Sequence, residues 1–445
     1  VSLRQKIEQE IRERGPIPFS RYMELCLYDP ELGYYSRNVE KFGKTGDFYT
    51  SSDVHAVFGR LLARQFEEMW RTLGSPGKIE ILELGPGRGL FAQDVLDWSE
   101  KKLHGFFEAL HYTLVESSPS LRARLEATFR ERIAAGKVSA LPRHADSDVN
   151  MPLNPTGEDA RRSADTVAPS SPREVVAETR GTEKQDRKTE KHGGSEQQHE
   201  REGHGFSRAE NLPLPMRALA PEVPVIVFAN EFFDALPVEV LSEKGCLRVS
   251  TRDGRFVEEW AAPSAEELAF LDRCGVHPVD QGRTEVALLA QRRMEQLAAS
   301  IERGFLIAID YGYTREQQLA GRHFDTIMTY RQHAARPKPY EAPGEQDITA
   351  HVNFTALAAT AEQHGMHVHK LLTQSQFLMG IGEATQFADA FEECRLPQER
   401  AKVALQLKHL VTPEGMGETF QVMVASKGVP PESLLSLSGL SFATR

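Results

Sequence analysis

Apolar residues along this chain follow two alternating rhythms. Short, largely apolar runs at 79–84, 112–115, 223–229 and 305–309 end on acidic or polar residues and turn formers, the pattern of parallel strands covered on both faces. Around them, apolar positions recur every third or fourth residue. Val57, Phe58, Leu61, Leu62, Phe66, Met69 and Leu73 do so before the first run, and Leu121, Leu125 and Phe129 after the second. Val286, Leu289, Met294, Leu297 and Ile301 do so before the fourth, so each set predicts a helix with one apolar face. Strands alternating with helices predict an α/β fold around a doubly wound parallel sheet.

The flanking segments are less regular. Leu3, Ile7 and Ile11 predict a helix that stops at Gly15-Pro16, and the aromatic-rich stretch from Phe19 to Tyr35, with Asp29-Pro30 and Gly33 as turn residues, predicts a loop that holds something. Residues 238–241 and 247–250 predict a hairpin, and 354–364 a helix. Strands at 366–372 and 420–425 are expected to close the sheet as an antiparallel pair. From 145 to 216 the composition turns to Arg, Glu, Lys, Ser, Gly and Gln, with Phe206 the only aromatic residue between Phe129 and Phe228. Such a segment buries too little apolar surface to offset its ordering entropy, so it predicts a disordered insertion whose His192, His199 and His204 are solvated. The expected organisation is an N-terminal extension (1–75), the first half of the core (76–144), the insertion (145–216), the second half with an inserted hairpin and helices (217–428) and a tail (429–445).

Charge and cysteine content narrow the function. A net charge of −11 over 445 residues argues against a general electrostatic grip on nucleic acid or an anionic membrane. Cys26, Cys246, Cys274 and Cys394 show no CxxC spacing, which suggests a reducing compartment and neither a zinc site nor a disulfide framework. No apolar run approaches the roughly 18 residues of a spanning helix. Glu8, Glu10 and Glu13 make the N-terminus unlike a transit peptide, so a bacterial cytoplasm is the expected location and a processed form in the mitochondrial matrix the alternative. His364, His367 and His369 lack a carboxylate nearby in sequence, and no metal is expected.

The candidate chemistry starts at the first run, Ile79-Glu80-Ile81-Leu82-Glu83-Leu84-Gly85-Pro86-Gly87-Arg88-Gly89-Leu90-Phe91. Gly85, Gly87 and Gly89 can take positive φ and let a nucleotide-like ligand lie against the backbone at a helix N-terminus, although glycine also serves packing alone. Glu116 closes the second strand, where an acid can accept from both hydroxyls of a ribose; a surface glutamate before a helix is the alternative. Asn230-Glu231-Phe232-Phe233-Asp234-Ala235-Leu236-Pro237 follows another strand, again where doubly wound sheets bind ligands. Gly43-Lys44-Thr45 is not a Walker loop, because Asn38 stands where the first glycine is required. A dinucleotide loop would read G-x-G-x-x-G, whereas here Leu90 occupies the third glycine's place. The preceding Glu83 suits a positively charged amino group better than a pyrophosphate, and the pattern resembles motif I of class I S-adenosylmethionine-dependent methyltransferases.

A wider set of segments narrows the match. Gly46-Asp47-Phe48-Tyr49-Thr50-Ser51, the glycine loop, the Asn230 to Pro237 stretch, Asp310-Tyr311-Gly312 and Gly344-Glu345-Gln346-Asp347-Ile348-Thr349-Ala350-His351-Val352-Asn353-Phe354 together resemble the MidA-like family. That family includes the mitochondrial arginine methyltransferase that assists assembly of respiratory complex I. The resemblance covers most of the chain outside the insertion, and Asn353 departs from the Asp expected there.

What the resemblance implies is a Rossmann-like class I methyltransferase sheet that uses S-adenosylmethionine to methylate a protein arginine without a metal. A guanidinium stays charged at neutral pH and is a poor nucleophile, so carboxylates that clamp it would orient it and stabilise its charge. Glu231 and Asp234, with Asn230 beside them, are the candidates; helix capping and a buried structural network are the alternative. For the cofactor, Gly85, Gly87 and Gly89 are assigned to close approach, Glu83 to the methionine amino group and Glu116 to the ribose. Gly46, Asp47 and Thr50 are expected to close over the methionine end, as the family match implies. An assembly chaperone that keeps the fold is the competing reading, and an NAD-dependent oxidoreductase is disfavoured by the glycine spacing.

Overall fold

The computed structural model describes residues 1–37, 56–142, 223–280, 282–331, 334–336 and 338–442. The expected covering loop with Gly46, Asp47 and Thr50, and the expected insertion at 145–216, lie outside these residues.

Six strands form the centre of the molecule: β1 (Ile79–Leu84), β2 (Leu110–Glu116), β3 (Val138–Pro142), β4 (Val225–Asn230), β5 (Gly304–Tyr313) and β6 (Phe420–Lys427). Their order is β3-β2-β1-β4-β5-β6, with β1 to β5 parallel and β6 antiparallel to β5. The expected closing strands are present but short. His367–Val368 and Leu372–Thr373 each pair antiparallel with β6. The chain winds outward from β1 through β2 to β3 and then restarts at β4 on the other side of β1. Doubly wound sheets bind ligands in the crevice at such a reversal, outside the carboxyl ends of the strands.

The apolar runs are unbroken by water because both faces are covered. Along β4, Ile226 and Phe228 point to one side and Val225 and Val227 to the other, as the two-residue period of a strand requires. The first side meets α3 (Ala56–Thr72) and α4 (Leu90–Lys102), where Phe91 stacks on Phe228 with centroids 4.4 Å apart. The second meets the helices Leu288–Ser300 and Phe354–Gln363 through Met294, Leu297 and Leu357. Segment 431–440, expected within a tail, buries Leu434, Leu437 and Leu440 in the first of these cores. Among the described residues no helix is long and apolar enough to cross a membrane.

A smaller sheet collects Ile17–Pro18, Glu239–Ser242, Gly245–Arg252, Arg255–Ala261 and Thr284–Val286. The expected hairpin is there, with a third strand added. Val286, expected in a helix, instead pairs with Glu239, and the helix begins at Leu288. This sheet packs with α1 (Leu3–Arg14) and α2 (Phe19–Tyr28). Part of the expected aromatic loop is therefore helical. Phe19, Tyr22, Met23, Cys26 and Leu27 are all buried, and their spacing is that of one helical face.

Candidate active site

At the end of β1 the chain turns through Gly85-Pro86-Gly87-Arg88-Gly89 into α4. All three glycines are left-handed, with φ of 66°, 53° and 76°. Their surroundings differ. A Cβ on Gly89 would lie 2.6 Å from Leu125 and 2.7 Å from Phe129, so this glycine lets the chain pass close to the helix α5 (Pro119–Thr128). A Cβ on Gly87 would meet no protein atom within 4 Å, and Gly85 and Gly87, unlike Gly89, border a cleft of about 1120 Å³ counted to its open mouth. Of the three candidate glycines, two therefore face the space a ligand can enter.

Glu83 and Glu116 border the same cleft, each 5% exposed. Tyr112 donates to Glu83 Oε2 at 2.8 Å. Burial, reinforced by the charge of Glu116, raises the Glu83 carboxyl to about 8, against the hydrogen bond from Tyr112. Two buried carboxylates in one cleft favour a cationic ligand. Glu116 is held by its own turn: Ser118 N donates to Oε1 at 2.8 Å, and Ser118 then caps α5 by accepting from Leu121 N.

The turn after β4 is built on strain. Glu231 has φ 51°, a conformation that costs a side-chain-bearing residue on the order of 1 kcal/mol or more. Its N–H donates to Ile309 O at 2.9 Å, and Asp310 on β5 holds the three residues after it. One oxygen of the fully buried Asp310 accepts from Phe232 N (3.2 Å), Phe233 N (2.9 Å) and Asp234 N (3.3 Å). The other accepts from Tyr311 N at 3.0 Å. Burial and then the charge of Glu231 push the Asp310 carboxyl up, while these donors work in the opposite direction. Asp310 is thus the clamp that gives the Asn230 to Asp234 turn its shape.

That turn presents acceptors with nothing to accept. Asn230 Oδ1 and Asp234 Oδ1 are buried and have no hydrogen-bond partner, while Asn230 Nδ2 donates to Glu231 Oε1 at 3.2 Å. Burial, then the charges of Asp310 and Asp347, raise the Asp234 carboxyl well above the usual range. Asp347, 4% exposed, borders the cleft as well, as do Tyr28 and Tyr35. The structure therefore brings Glu83, Gly85, Gly87, Glu116, Asn230, Glu231 and Asp234 to one cleft, leaves Gly89 behind it in packing, and adds Asp347 and the two tyrosines.

Asn353 lies elsewhere. Its Oδ1 accepts from Ala356 N at 3.0 Å and its Nδ2 donates to Cys274 O at 2.9 Å, so it caps the helix Phe354–Gln363 and ties it to a neighbouring carbonyl. An amide makes both bonds, whereas an ionised carboxylate could make only the first. Among the described residues, one group gathers ligand atoms suited to a metal: Glu239, Cys246 and Glu267 in the smaller sheet. The Arg248 guanidinium already sits there, 3.2 Å from Cys246 Sγ and 3.6 Å from Glu239 Oε2.

Residues 61–372 match the family of S-adenosyl-L-methionine-dependent methyltransferases. The chain belongs to this MidA-like methyltransferase family. As a member it uses S-adenosylmethionine, and the glycine loop with its two carboxylates fits that positively charged ligand. A Burkholderia thailandensis protein solved with S-adenosyl-homocysteine superposes on the methyltransferase with a TM-score of 0.69 at 25% identity, over 99% of this chain and 94% of that one. Among sequence relatives, the mitochondrial protein arginine methyltransferase NDUFAF7 homolog of Drosophila melanogaster is 28% identical over 96% of this chain and 85% of its own length. The protein arginine methyltransferase NDUFAF7 of Danio rerio is 26% identical over 94% of this chain and 86% of its own.

Among the bordering residues given no role from sequence, three stand out for their polar groups and place in the chain. Asp347 stands within a stretch that carried the family resemblance, and Tyr28 and Tyr35 within the aromatic stretch expected to hold something; neither stretch says what its residues face.

Proposed function

We propose that this methyltransferase methylates an arginine of a protein substrate, with the acceptor guanidinium bound at the turn after β4. One observation carries the reading: Asn230 Oδ1 and Asp234 Oδ1 are unpartnered in a cleft where Glu231 and Asp347 add negative charge. A guanidinium offers five N–H donors in a plane and remains charged, which is what such a set of acceptors lacks. That both relatives above are named protein arginine methyltransferases supports the reading.

The cofactor supplies an activated methyl group on a sulfonium. Glu83 would hold its ammonium, Glu116 its ribose hydroxyls, and Gly85 and Gly87 would allow close backbone approach. Asp234 and Glu231 would accept from the guanidinium and fix one of its nitrogens in line with the methyl, which converts a bimolecular encounter into a positioned one. Methyl transfer to that nitrogen releases a proton. Asp234, whose carboxyl holds protons well above the usual carboxylate range, is placed to take it.

The test begins with calorimetric titration of S-adenosylmethionine and continues with mass spectrometry of arginine-containing protein substrates. A respiratory complex I subunit, which the family resemblance implies, is tried first. Asp234→Asn should lower kcat about 100-fold or more while cofactor affinity stays within a few fold. Methylation of another residue type would overturn the arginine assignment. Cofactor binding with no transfer to any protein would favour an assembly factor that keeps the fold.

A further inference from the structure

Asp347 enters the cleft from a different part of the chain than the turn after β4. It opens the short strand Asp347–Thr349, which pairs with Met328–Arg331 so that Asp347 stands opposite Tyr330, and Ala350 N just beyond donates to Asp234 O at 3.0 Å. The two acidic segments are thereby fixed to one another. The Asp347 carboxylate is also held from the N-terminal segment: the Tyr35 hydroxyl lies 2.9 Å from Oδ1 and 3.2 Å from Oδ2, and Ile348 N donates to Oδ1 at 2.9 Å. Contact with both oxygens sets the rotation of the carboxylate. Burial, together with the charge of Asp347, keeps the Tyr35 hydroxyl protonated far above neutral pH, so it remains a donor. The Tyr28 ring lies 5.5 Å from that of Tyr35, and its hydroxyl donates to Ala235 O at 2.9 Å, directly after Asp234.

We infer that Asp347, oriented by the Tyr35 hydroxyl, is a specificity-determining residue of the acceptor site. Together with Asn230, Glu231 and Asp234 it forms a set of acceptors that a planar guanidinium satisfies and a lysine ammonium does not. The inference rests on the arginine reading above. An ammonium donates from a single nitrogen, whereas a guanidinium donates from three nitrogens spread in a plane and can bridge acceptors carried by two separate segments. Tyr35 acts through Asp347 and is a positioning residue. The tyrosine rings bordering the cleft give a flat cation a further surface that a compact ammonium uses less well.

The test uses the full chain saturated with S-adenosyl-homocysteine, titrated calorimetrically with N-acetylarginine methylamide and with its lysine counterpart. Wild type should prefer the arginine probe. Asp347→Asn should weaken arginine binding about tenfold or more and Tyr35→Phe by about three- to tenfold, with lysine binding little changed, so that the preference collapses. Affinity for S-adenosyl-homocysteine and the thermal midpoint should remain close to wild type, and Asp347→Glu should restore part of the preference. An arginine preference that survives both substitutions overturns the inference and leaves the arginine reading standing. Loss of cofactor affinity and thermal stability in step with probe binding assigns the pair a structural role and also overturns it. A wild type without arginine preference overturns the reading itself, and the inference with it.

Discussion

The two acidic regions of the cleft are held in opposite ways. Glu83 and Glu116 sit on adjacent parallel strands, and their supports come from those strands or the next turn: Tyr112 for Glu83, Ser118 for Glu116. Asp234 and Asp347 depend on groups distant in sequence. Asp310 clamps the backbone of the first from 76 residues away, and Tyr35 holds the second from 312. The side of the cleft proposed for the cofactor is therefore made by neighbouring strands and turns, and the side proposed for the acceptor by contacts distant in sequence.

Changes on either side should break or sharpen this contrast. Asp310→Ala removes the oxygen that satisfies three consecutive backbone N–H groups, those of Phe232, Phe233 and Asp234, and leaves the Ile309 carbonyl alone to hold the left-handed Glu231. Methyl transfer should fall on the order of 1000-fold and stability by ~3 kcal/mol, while cofactor affinity measured by calorimetry changes far less. Gly87→Val places a branched side chain on a left-handed residue bordering the cleft, and cofactor affinity should drop about 100-fold. Gly89→Val is its control. It should cost ~3 kcal/mol in denaturant unfolding through collision with Leu125 and Phe129, so the two glycines separate binding from packing.

A pH titration comes next in size. With its carboxyl raised to about 8, Glu83 is largely protonated at pH 6 in the free protein, and in the role proposed for it, holding the cofactor's ammonium, it must ionise. Cofactor affinity should therefore rise with pH by up to about tenfold per unit until near pH 8, and Glu83→Gln should flatten the profile. Stability of the free protein has the opposite sign. A folded-state value above the unfolded one contributes stability that is present below the unfolded value and is lost as pH rises toward 8. Smallest of all, Asn353→Asp removes the donation to Cys274 O and should cost ~1–2 kcal/mol in urea unfolding with kcat unchanged.

The same contrast decides what the sequence reveals. The runs that form β1, β2, β4 and β5 are legible because burial on both faces leaves an unmistakable apolar signature, and the glycine loop because it is contiguous. Gly89 cannot be told from Gly87, since a letter does not say whether its missing Cβ faces a ligand or Leu125. Asp310 stands in a segment that carries the family resemblance, yet its purpose emerges only when β5 lies beside β4. Phe19–Tyr28 was within reach: its apolar spacing is helical, but the turn residues at Asp29-Pro30 and the many aromatic rings point toward a loop.

The position of β6 inside the sheet has a consequence for biosynthesis. Until the chain has grown from Tyr313 to Phe420 and beyond, β5 has no partner on its outer side, and Phe305 to Ile309 present an apolar row with open hydrogen-bonding groups. A nascent chain on the ribosome passes through that stage with a sticky border exposed. Fragments ending before Phe420 should accordingly aggregate rather than accumulate as smaller soluble proteins.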